Sequence, residues 1–320
     1  MAKRVPADFA GDMLLWAAWL YHVEGRTQND IAEELEVSRQ TVANYLNEAV
    51  AKDMVRVELR PDILARHATA TALAELYGLE AVHIVPSPKS ESQLFKRLGH
   101  AGGQVLHNLV SNGDMIGVAF GRTIFRVGML MPSSNQPKTK VVQVAGCSLG
   151  GSDTSPEACA SLIAGKLSAE CVNLFAPAYL STETLTRDLL AEPTLQRQFQ
   201  LFKKTDLMIF GIGELNKHTR FYLNEEYFHN DDLRDHYLRL GAASVIMGRF
   251  IDADGNEIDG PLLNRTVAID LDTARSIPIR LAVCGGKEKT EAADAALRAR
   301  FATHLVTDEQ TARRLLKANK

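Results

Sequence analysis

An α/β chain in two parts is what the sequence predicts: an N-terminal winged helix-turn-helix domain, residues 1–60, then a Rossmann-like, mostly parallel α/β domain, residues 61–320. Three observations lead there. At 320 residues the chain is too long for one ordinary core. The stretch TQNDIAEELEVSRQTVANYL, residues 27–46, reads as two short helices about a tight turn. Beyond Pro61, short apolar runs alternate with helical periods.

Composition narrows the class. Hydrophobic residues at 46% and charged residues at 23% fit a globular chain, and no stretch is apolar for long enough to span a bilayer. Asp8 and Asp12 interrupt the N-terminus before any apolar run, which argues against a signal peptide and for the cytoplasm. Cys147, Cys159, Cys171 and Cys284 are scattered, with no CxxC and no His cluster, so they read as reduced thiols and not as a metal site. A net charge of -3 excludes a globally basic nucleic-acid binder but leaves room for a local patch.

The N-terminal elements follow in order. LLWAAWLYHV, residues 14–23, is a buried first helix that Gly25 ends. Thr27 caps the next, with Asp30 and Glu33 at its positive end and Ile31, Ala32 and Leu35 on one face. Glu36-Val37 turns the chain. Glu36 stands where a glycine is usual, at about 1 kcal/mol if that residue is left-handed. Ser38 then caps a third helix carrying Val42, Tyr45, Leu46, Ala49 and Val50 at helical spacing.

Opposite the face of Val42, Leu46 and Val50, or at the helix start, lie Ser38, Arg39, Gln40, Thr41 and Asn44. Such side chains bond base edges or phosphates from a helix N-terminus in the major groove. Tyr45 fits either the core or a phosphate contact. MVRVEL, residues 54–59, alternates like a strand and supplies a wing. An ordinary three-helix packing unit is the plainer alternative, and residues 1–60 are acidic in balance. The segment 38–52, however, holds Arg39 and Lys52 against Glu48 alone.

The remaining elements alternate. Helix 62–77 precedes strand 81–85 and helix 94–110; strand 115–120 precedes a helix from about Arg122; strand 140–146 precedes a helix over 156–175. Strand 207–213 leads through a loop to helix 231–240, and strand 243–251 follows. Strand 279–286 precedes helix 287–301, and strand 304–307 precedes helix 308–317. A sheet of this kind binds ligands beyond the carboxyl ends of its strands. The glycines collect there: Gly117 and Gly121 before Arg122 and Thr123, Gly146 with Gly150-Gly151, Gly211 and Gly213, and Gly285-Gly286 before Lys287 and Lys289. Backbone amides at a helix start, with a Thr hydroxyl and a basic side chain, make an anion cradle suited to phosphate. Tight strand-to-helix turns also need glycine, so each pair alone is weak.

Taken together, GRTQNDIAEELEVSRQTVANYLNEAVAKDMVRVEL, IGVAFGRTI, VVQVAGCSLGG, FGIGELN, GAASVIMGRFIDADGNEID and the C-terminal LAVCGGKEKTEAADAAL resemble the SorC-type, sugar-binding DeoR-like bacterial transcriptional regulators over nearly the whole chain. The resemblance implies operator DNA as partner of the N-terminal domain, a homo-oligomer (dimer or tetramer), and a phosphorylated sugar or polyol bound by a C-terminal domain similar in fold to glucosamine-6-phosphate and ribose-5-phosphate isomerases. By carry-over, Gly121, Arg122, Thr123 and Lys289 grip the phosphate, while Glu157, Gly146, Gly211 and Gly213 approach the sugar.

Three departures stand out. Ser244-Val245 replaces a glycine and an acid, removing a carboxylate for sugar hydroxyls. No lysine stands at Ala145-Gly146, so no Schiff base is expected. Cys147 replaces the loop's second glycine and reads as an inert thiol.

Two competing classes remain. An isomerase-like enzyme would need an acid and a base; Glu214 and His218 have a workable spacing but not the enzymes' pattern after Gly211-Ile212-Gly213. No nucleophile elbow, HExxH or Walker loop occurs, so no catalytic residue, metal or cofactor is expected. The other class is a DNA-binding scaffold that has lost its ligand. Arg122, Thr123 and Lys289 together speak against it, although Lys289 also reads as a plain surface lysine.

Overall fold

Asp12 begins the first helix, its carboxylate accepting from the Leu14 amide at 2.9 Å. In the computed structural model, residues 6, 9, 11–52, 54–55, 61–147, 154–215 and 230–319 are described. The chain divides into two compact units, Met1–Leu64 and Ala65–Lys320.

The first unit holds α1 (Met13–His22), α2 (Gln28–Leu35) and α3 (Arg39–Ala51). Thr27 and Asp30 bond reciprocally in a capping box at the start of α2. Glu36 closes α2 in the left-handed region, at φ 55° and ψ 40°, as a tight turn requires. Ala17, Ala18, Leu20, Ile31, Leu35, Val42, Leu46 and Ala49 form the core. Val50 does not join it and is 46% exposed, because position 50 already lies past the buried stripe. The wing predicted over 54–59 falls mostly outside the described residues.

The second unit begins within α4 (Pro61–Tyr77), followed by β1 (Ala81–Val85), α5 (Glu91–Leu109), β2 (Met115–Val118), α6 (Arg122–Leu130), β3 (Lys140–Gln143), α7 (Pro156–Leu167) and β4 (Glu170–Val172). Then come α8 (Glu183–Leu190), α9 (Pro193–Phe202), β5 (Leu207–Phe210), β6 (Ile212–Gly213), α10 (Asn230–Arg239), β7 (Ser244–Ile246) and β8 (Arg249–Ile251). The chain closes with α11 (Leu271–Ser276), β9 (Ile279–Val283), α12 (Thr290–Arg298), β10 (His304–Asp308) and α13 (Glu309–Ala318).

Seven strands form one sheet in the order β1-β10-β9-β5-β2-β3-β4, with every neighbouring pair parallel. Alternation along the strands divides the core between two faces. Ile116, Val118, Leu207, Ile209, Leu281 and Val283 pack with α5, α6 and α7. Met208, Phe210, Ala282 and Leu305 pack on the other side with residues of α4, α9, α12 and α13.

Several expected elements are corrected. The single helix expected over 156–175 ends at Leu167, where Ser168 turns left-handed at φ 54°, and the chain becomes strand β4 beside β3. The single strand expected over 243–251 folds back on itself. Met247 and Gly248, at φ 53° and 85°, make a tight turn between antiparallel β7 and β8. The run 207–213 breaks at Gly211, and β6 leaves the main sheet for a small one with β7 and β8. Helices α8, α9 and α11 are additions to the expected order. Strands β2, β3 and β9 stop two to three residues early, which leaves Gly121, Gly146 and Gly286 in the loops beyond their ends. Among the described residues, no helix is long and apolar enough to cross a membrane.

Candidate functional sites

Ser38 organises the start of α3. Its Oγ accepts from the Thr41 amide at 3.0 Å and lies 2.8 Å from the Thr41 hydroxyl. Gln40 donates to Asn44 Oδ1 at 3.3 Å, so these two amides are held side by side one turn apart. Ser38, Arg39, Gln40 and Asn44 are exposed; Thr41 and Tyr45 are half-buried. Tyr45 packs against the three-helix core, so its ring has a structural role whatever its hydroxyl does. Arg39 shares a shallow polar depression with Tyr21, Arg26, Thr27 and Asn29. Arg26 is engaged by Glu24 at 2.9 Å and also by Glu34.

In the second unit, the chain runs from β2 outward to β3 and β4, then returns to β5 and runs the other way to β9 and β10. The reversal falls between β2 and β5, and a crevice opens at such a point beyond the carboxyl ends. Gly211 lies in it: a methyl built there would stand 3.8 Å from the Phe120 carbonyl oxygen and 4.0 Å from that of Val283. The ends of β2, β5 and β9 therefore meet at this glycine.

On the β2 side, Gly121 has φ 112° and begins α6 with no side chain capping the helix. Its amide donates to the Thr154 carbonyl at 3.1 Å, bringing the start of α7 alongside. Thr123, in the first turn, is 8% exposed. Arg122 turns toward α5, its guanidinium 4.6 Å over the Phe95 ring and 3.1 Å from the Glu91 carboxylate.

On the β3 side, a Cβ at Gly146 would fall 2.6 Å from the Pro177 carbonyl oxygen, so only glycine passes there. Cys147 is half-buried, donating to the Leu174 carbonyl at 3.4 Å. Burial pushes its thiol up, a hydrogen bond from Gln143 opposes that, and the Glu157 charge adds to the rise. The thiol is thus kept protonated, as an inert cysteine requires. Glu157, in the first turn of α7, has a buried Oε2 with no hydrogen-bond partner among the described residues.

On the β9 side, Gly286 at φ 109° donates its amide to Asp308 Oδ1 at 3.0 Å and to Thr311 Oγ1 at 2.9 Å. Burial raises the Asp308 carboxyl, but hydrogen bonds from Ser87, Thr311 and Gly286 outweigh it and hold the group low. Lys289 donates to the Ile212 carbonyl at 2.6 Å and lies 3.0 Å from Glu214 Oε2. Ser244 is fully buried and donates to the Gly213 carbonyl at 3.4 Å, while Val245 pairs with Gly213 across β6 and β7. His218 lies outside the described residues.

Gly121 and Thr123 thus follow β2, Gly211 follows β5 and Lys289 follows β9, three neighbouring strands of the sheet, while Gly146 and Glu157 follow β3. Arg122 is drawn aside by Phe95 and Glu91. Sequence reasoning did not single out Glu91, Phe95, Ser87, Asp308 or Thr311, since only the fold brings them here. Among the described residues, no group of His, Cys, Asp and Glu is arranged to hold a metal ion.

Two family models match the chain: "Putative sugar-binding domain" over residues 62–317 and MarR family over residues 17–62. The transcriptional regulator YjhU of Escherichia coli (strain K12) is 32% identical over 96% of this chain and 95% of its own length. The deoxyribonucleoside regulator of Bacillus subtilis is 28% identical, covering 94% of this chain and 96% of its own. The erythritol catabolism regulatory protein EryD of Brucella abortus is 27% identical over 97% of this chain and 98% of its own. In fold, the chain matches the full-length sorbitol operon regulator SorC from Klebsiella pneumoniae, with a TM-score of 0.74, 23% identity and coverage of 95% and 98%. Carrying a sugar-binding domain behind a helix-turn-helix, the chain belongs to the SorC-type, DeoR-like family of sugar-binding transcriptional regulators.

Proposed function

We propose that this sugar-sensing regulator represses a carbohydrate or polyol catabolic operon in the cytoplasm and releases its operator when a phosphorylated sugar or polyol enters the crevice between β2 and β5. The observation that carries the reading is the uncapped start of α6 at Gly121, beside the Gly211 opening and near Lys289. The phosphate sits on the α6 amides, with Thr123 Oγ1 donating to it and Lys289 supplying charge, while Arg122 contributes its charge once it leaves Glu91. The unpartnered Glu157 oxygen accepts a sugar hydroxyl, and Gly146, Gly211 and Gly213 let the ring approach the backbone. The names of EryD, the deoxyribonucleoside regulator and SorC point to small carbohydrates and polyols as the chemical class.

Ser38, Arg39, Gln40, Thr41 and Asn44 face the operator, and Tyr45 supports them. A homo-oligomer, dimer or tetramer, presents paired recognition helices to half-sites one turn of DNA apart. Effector binding shifts the operator equilibrium only by its unequal affinity for the two arrangements of those helices.

A thermal-melt panel of sugars, polyols and their phosphates tests this. One phosphorylated compound at a hundred times its Kd should stabilise the protein by about 2.7 kcal/mol. Its dephosphorylated form should give no shift, Lys289→Ala should abolish the shift, and the same compound should release operator DNA. A panel in which sugars act equally with and without phosphate would overturn the phosphate assignment.

A further inference from the structure

Gln40 is the second residue of α3 and Asn44 follows one turn later. Both are exposed, while Val42 and Leu46 turn the other face of the helix into the core. Gln40 Nε2 donates to Asn44 Oδ1 at 3.3 Å. No acid stands in the first turn of α3, and its one carboxylate, Glu48, is held by Lys52 at 2.7 Å, so α3 itself does not repel a DNA strand at its start. On the reading of α3 as the helix that faces DNA, we propose that Gln40 and Asn44 act as one unit that recognises a single adenine in each operator half-site.

The bond between the two side chains decides what they offer. Each amide carries one carbonyl oxygen that accepts and one NH2 group that donates. With Gln40 Nε2 spent on Asn44 Oδ1, the Gln40 carbonyl remains to accept and the Asn44 NH2 group remains to donate. Turning both amides over exchanges the roles and leaves the same offer, one acceptor beside one donor. Within one base, only adenine answers it in the major groove. Its N6 donates and its N7 accepts, whereas guanine shows two acceptors, cytosine a donor alone, and thymine an acceptor and a methyl. Gln40 Oε1 therefore accepts from N6, and Asn44 Nδ2 donates to N7.

The neighbouring side chains leave this role to the couple. Ser38 Oγ is engaged by the Thr41 amide and by the Thr41 hydroxyl, which spend each other at the helix cap. Arg39 has donors only, which suit guanine or a phosphate and not the N6 group of adenine. Because the two amides brace one another, their side chains are ordered before DNA arrives, and binding costs less entropy. The same brace makes them interdependent. Removing either amide leaves the other without its support, so the contact fails as a whole.

The test is selection of binding sites from a randomised duplex library by the full chain and by Gln40→Ala, Asn44→Ala and the double variant, followed by titrations on the enriched duplex. The unaltered protein should enrich an A·T pair at one position of each half-site. Both single variants should lose that preference, by roughly ten- to a hundredfold, and the double variant should lose no more than either single one. Replacing the adenine with 7-deazaadenine, which lacks the N7 acceptor, should weaken binding of the unaltered protein and leave Asn44→Ala unmoved. Circular dichroism melts should show all four proteins equally folded. A preference kept in the single variants, relaxed at two different positions or replaced by uniform weakening would overturn the joint recognition while α3 still faces DNA. So would a G·C pair enriched at the shared position, or indifference to 7-deazaadenine. Enrichment of no sequence by the folded, unaltered protein would overturn the recognition and the DNA-facing role of α3 together.

Discussion

The Tyr77 hydroxyl donates to Asp294 Oδ1 at 2.5 Å, fastening the end of α4 to the middle of α12. Asn319 donates to the same oxygen at 2.8 Å, and Arg298 Nε to Asp294 Oδ2 at 2.8 Å. Burial pushes the Asp294 carboxyl up, but these three hydrogen bonds outweigh it and hold the group below its ordinary range. The cluster joins three helices of one face of the sheet.

Tyr77→Phe should therefore cost about 1–3 kcal/mol, the penalty for leaving a hydrogen-bonded charged acceptor short of a donor. A depressed carboxylate stabilises the folded state fully only above the unfolded aspartate value, near 3.9, and that share is lost as pH falls toward the lower folded value. Melting temperatures of the two proteins, well separated at pH 7, should converge as the pH falls below about 4, the ordinary aspartate value. A constant gap across that range would mean that the Tyr77 bond does not act through the Asp294 charge.

Packing of α5 on α6 sets where the candidate phosphate cradle stands. A Cβ on Gly103 would fall 2.6 Å from Met131 Cα, and one on Gly99 would fall 2.8 Å from the Arg126 carbonyl oxygen. The obstacles are backbone atoms, which cannot step aside. Gly103→Ala should force the helices apart, costing roughly 1–3 kcal/mol. It should also weaken phosphate binding, since the start of α6 moves with its axis. Unaltered melting and unaltered binding would show that the helix pair absorbs the methyl elsewhere.

Local chemistry was readable along the chain, and long-range chemistry was not. Thr27, Ser38 and the left-handed position of Glu36 follow from caps and turns that span a few residues. The glycines beyond the strands were also legible, because a parallel sheet repeats its strand-to-helix turns. Tyr77 with Asp294, Arg122 with Glu91 and Asp308 with Ser87 join residues far apart in sequence, and nothing local marks them. Two errors have the same physical source. Ser168 and Met247 adopt left-handed turns without being glycine, so an uninterrupted helix and an uninterrupted strand were expected through them. The domain that carries α8, α9 and α11 lengthened its connections with helices whose periodic faces are short and mostly exposed.

On the DNA face, Arg39 and Gln40 are exposed at the N-terminal end of α3, while Val42 and Leu46 are committed to the core. Arg39→Ala or Gln40→Ala should relax discrimination at one or two operator positions by roughly 1–3 kcal/mol where the side chain makes a bidentate base contact. Melting should be unchanged. Competition binding with single-base operator variants separates this from a phosphate contact, which would weaken all sequences alike.

Both tryptophans, Trp16 and Trp19, stand in α1, so indole fluorescence reports on the first unit alone. Phe9 packs against both rings, at centroid separations of 4.7 and 5.6 Å. That probe isolates the left-handed turn between α2 and α3. Glu36→Gly relieves about 1 kcal/mol of steric cost at φ 55°. It also frees the unfolded chain, which takes back about 0.4–1 kcal/mol. The two nearly cancel, so the urea midpoint read at the indoles should hardly move. Glu36→Ile adds a branched Cβ at the same φ and should lower that midpoint clearly, by about 1 kcal/mol or more. Equal midpoints for the glycine and isoleucine variants would mean that the turn leaves the left-handed region in solution, and the spacing of α2 against α3 would then rest on their core contacts alone.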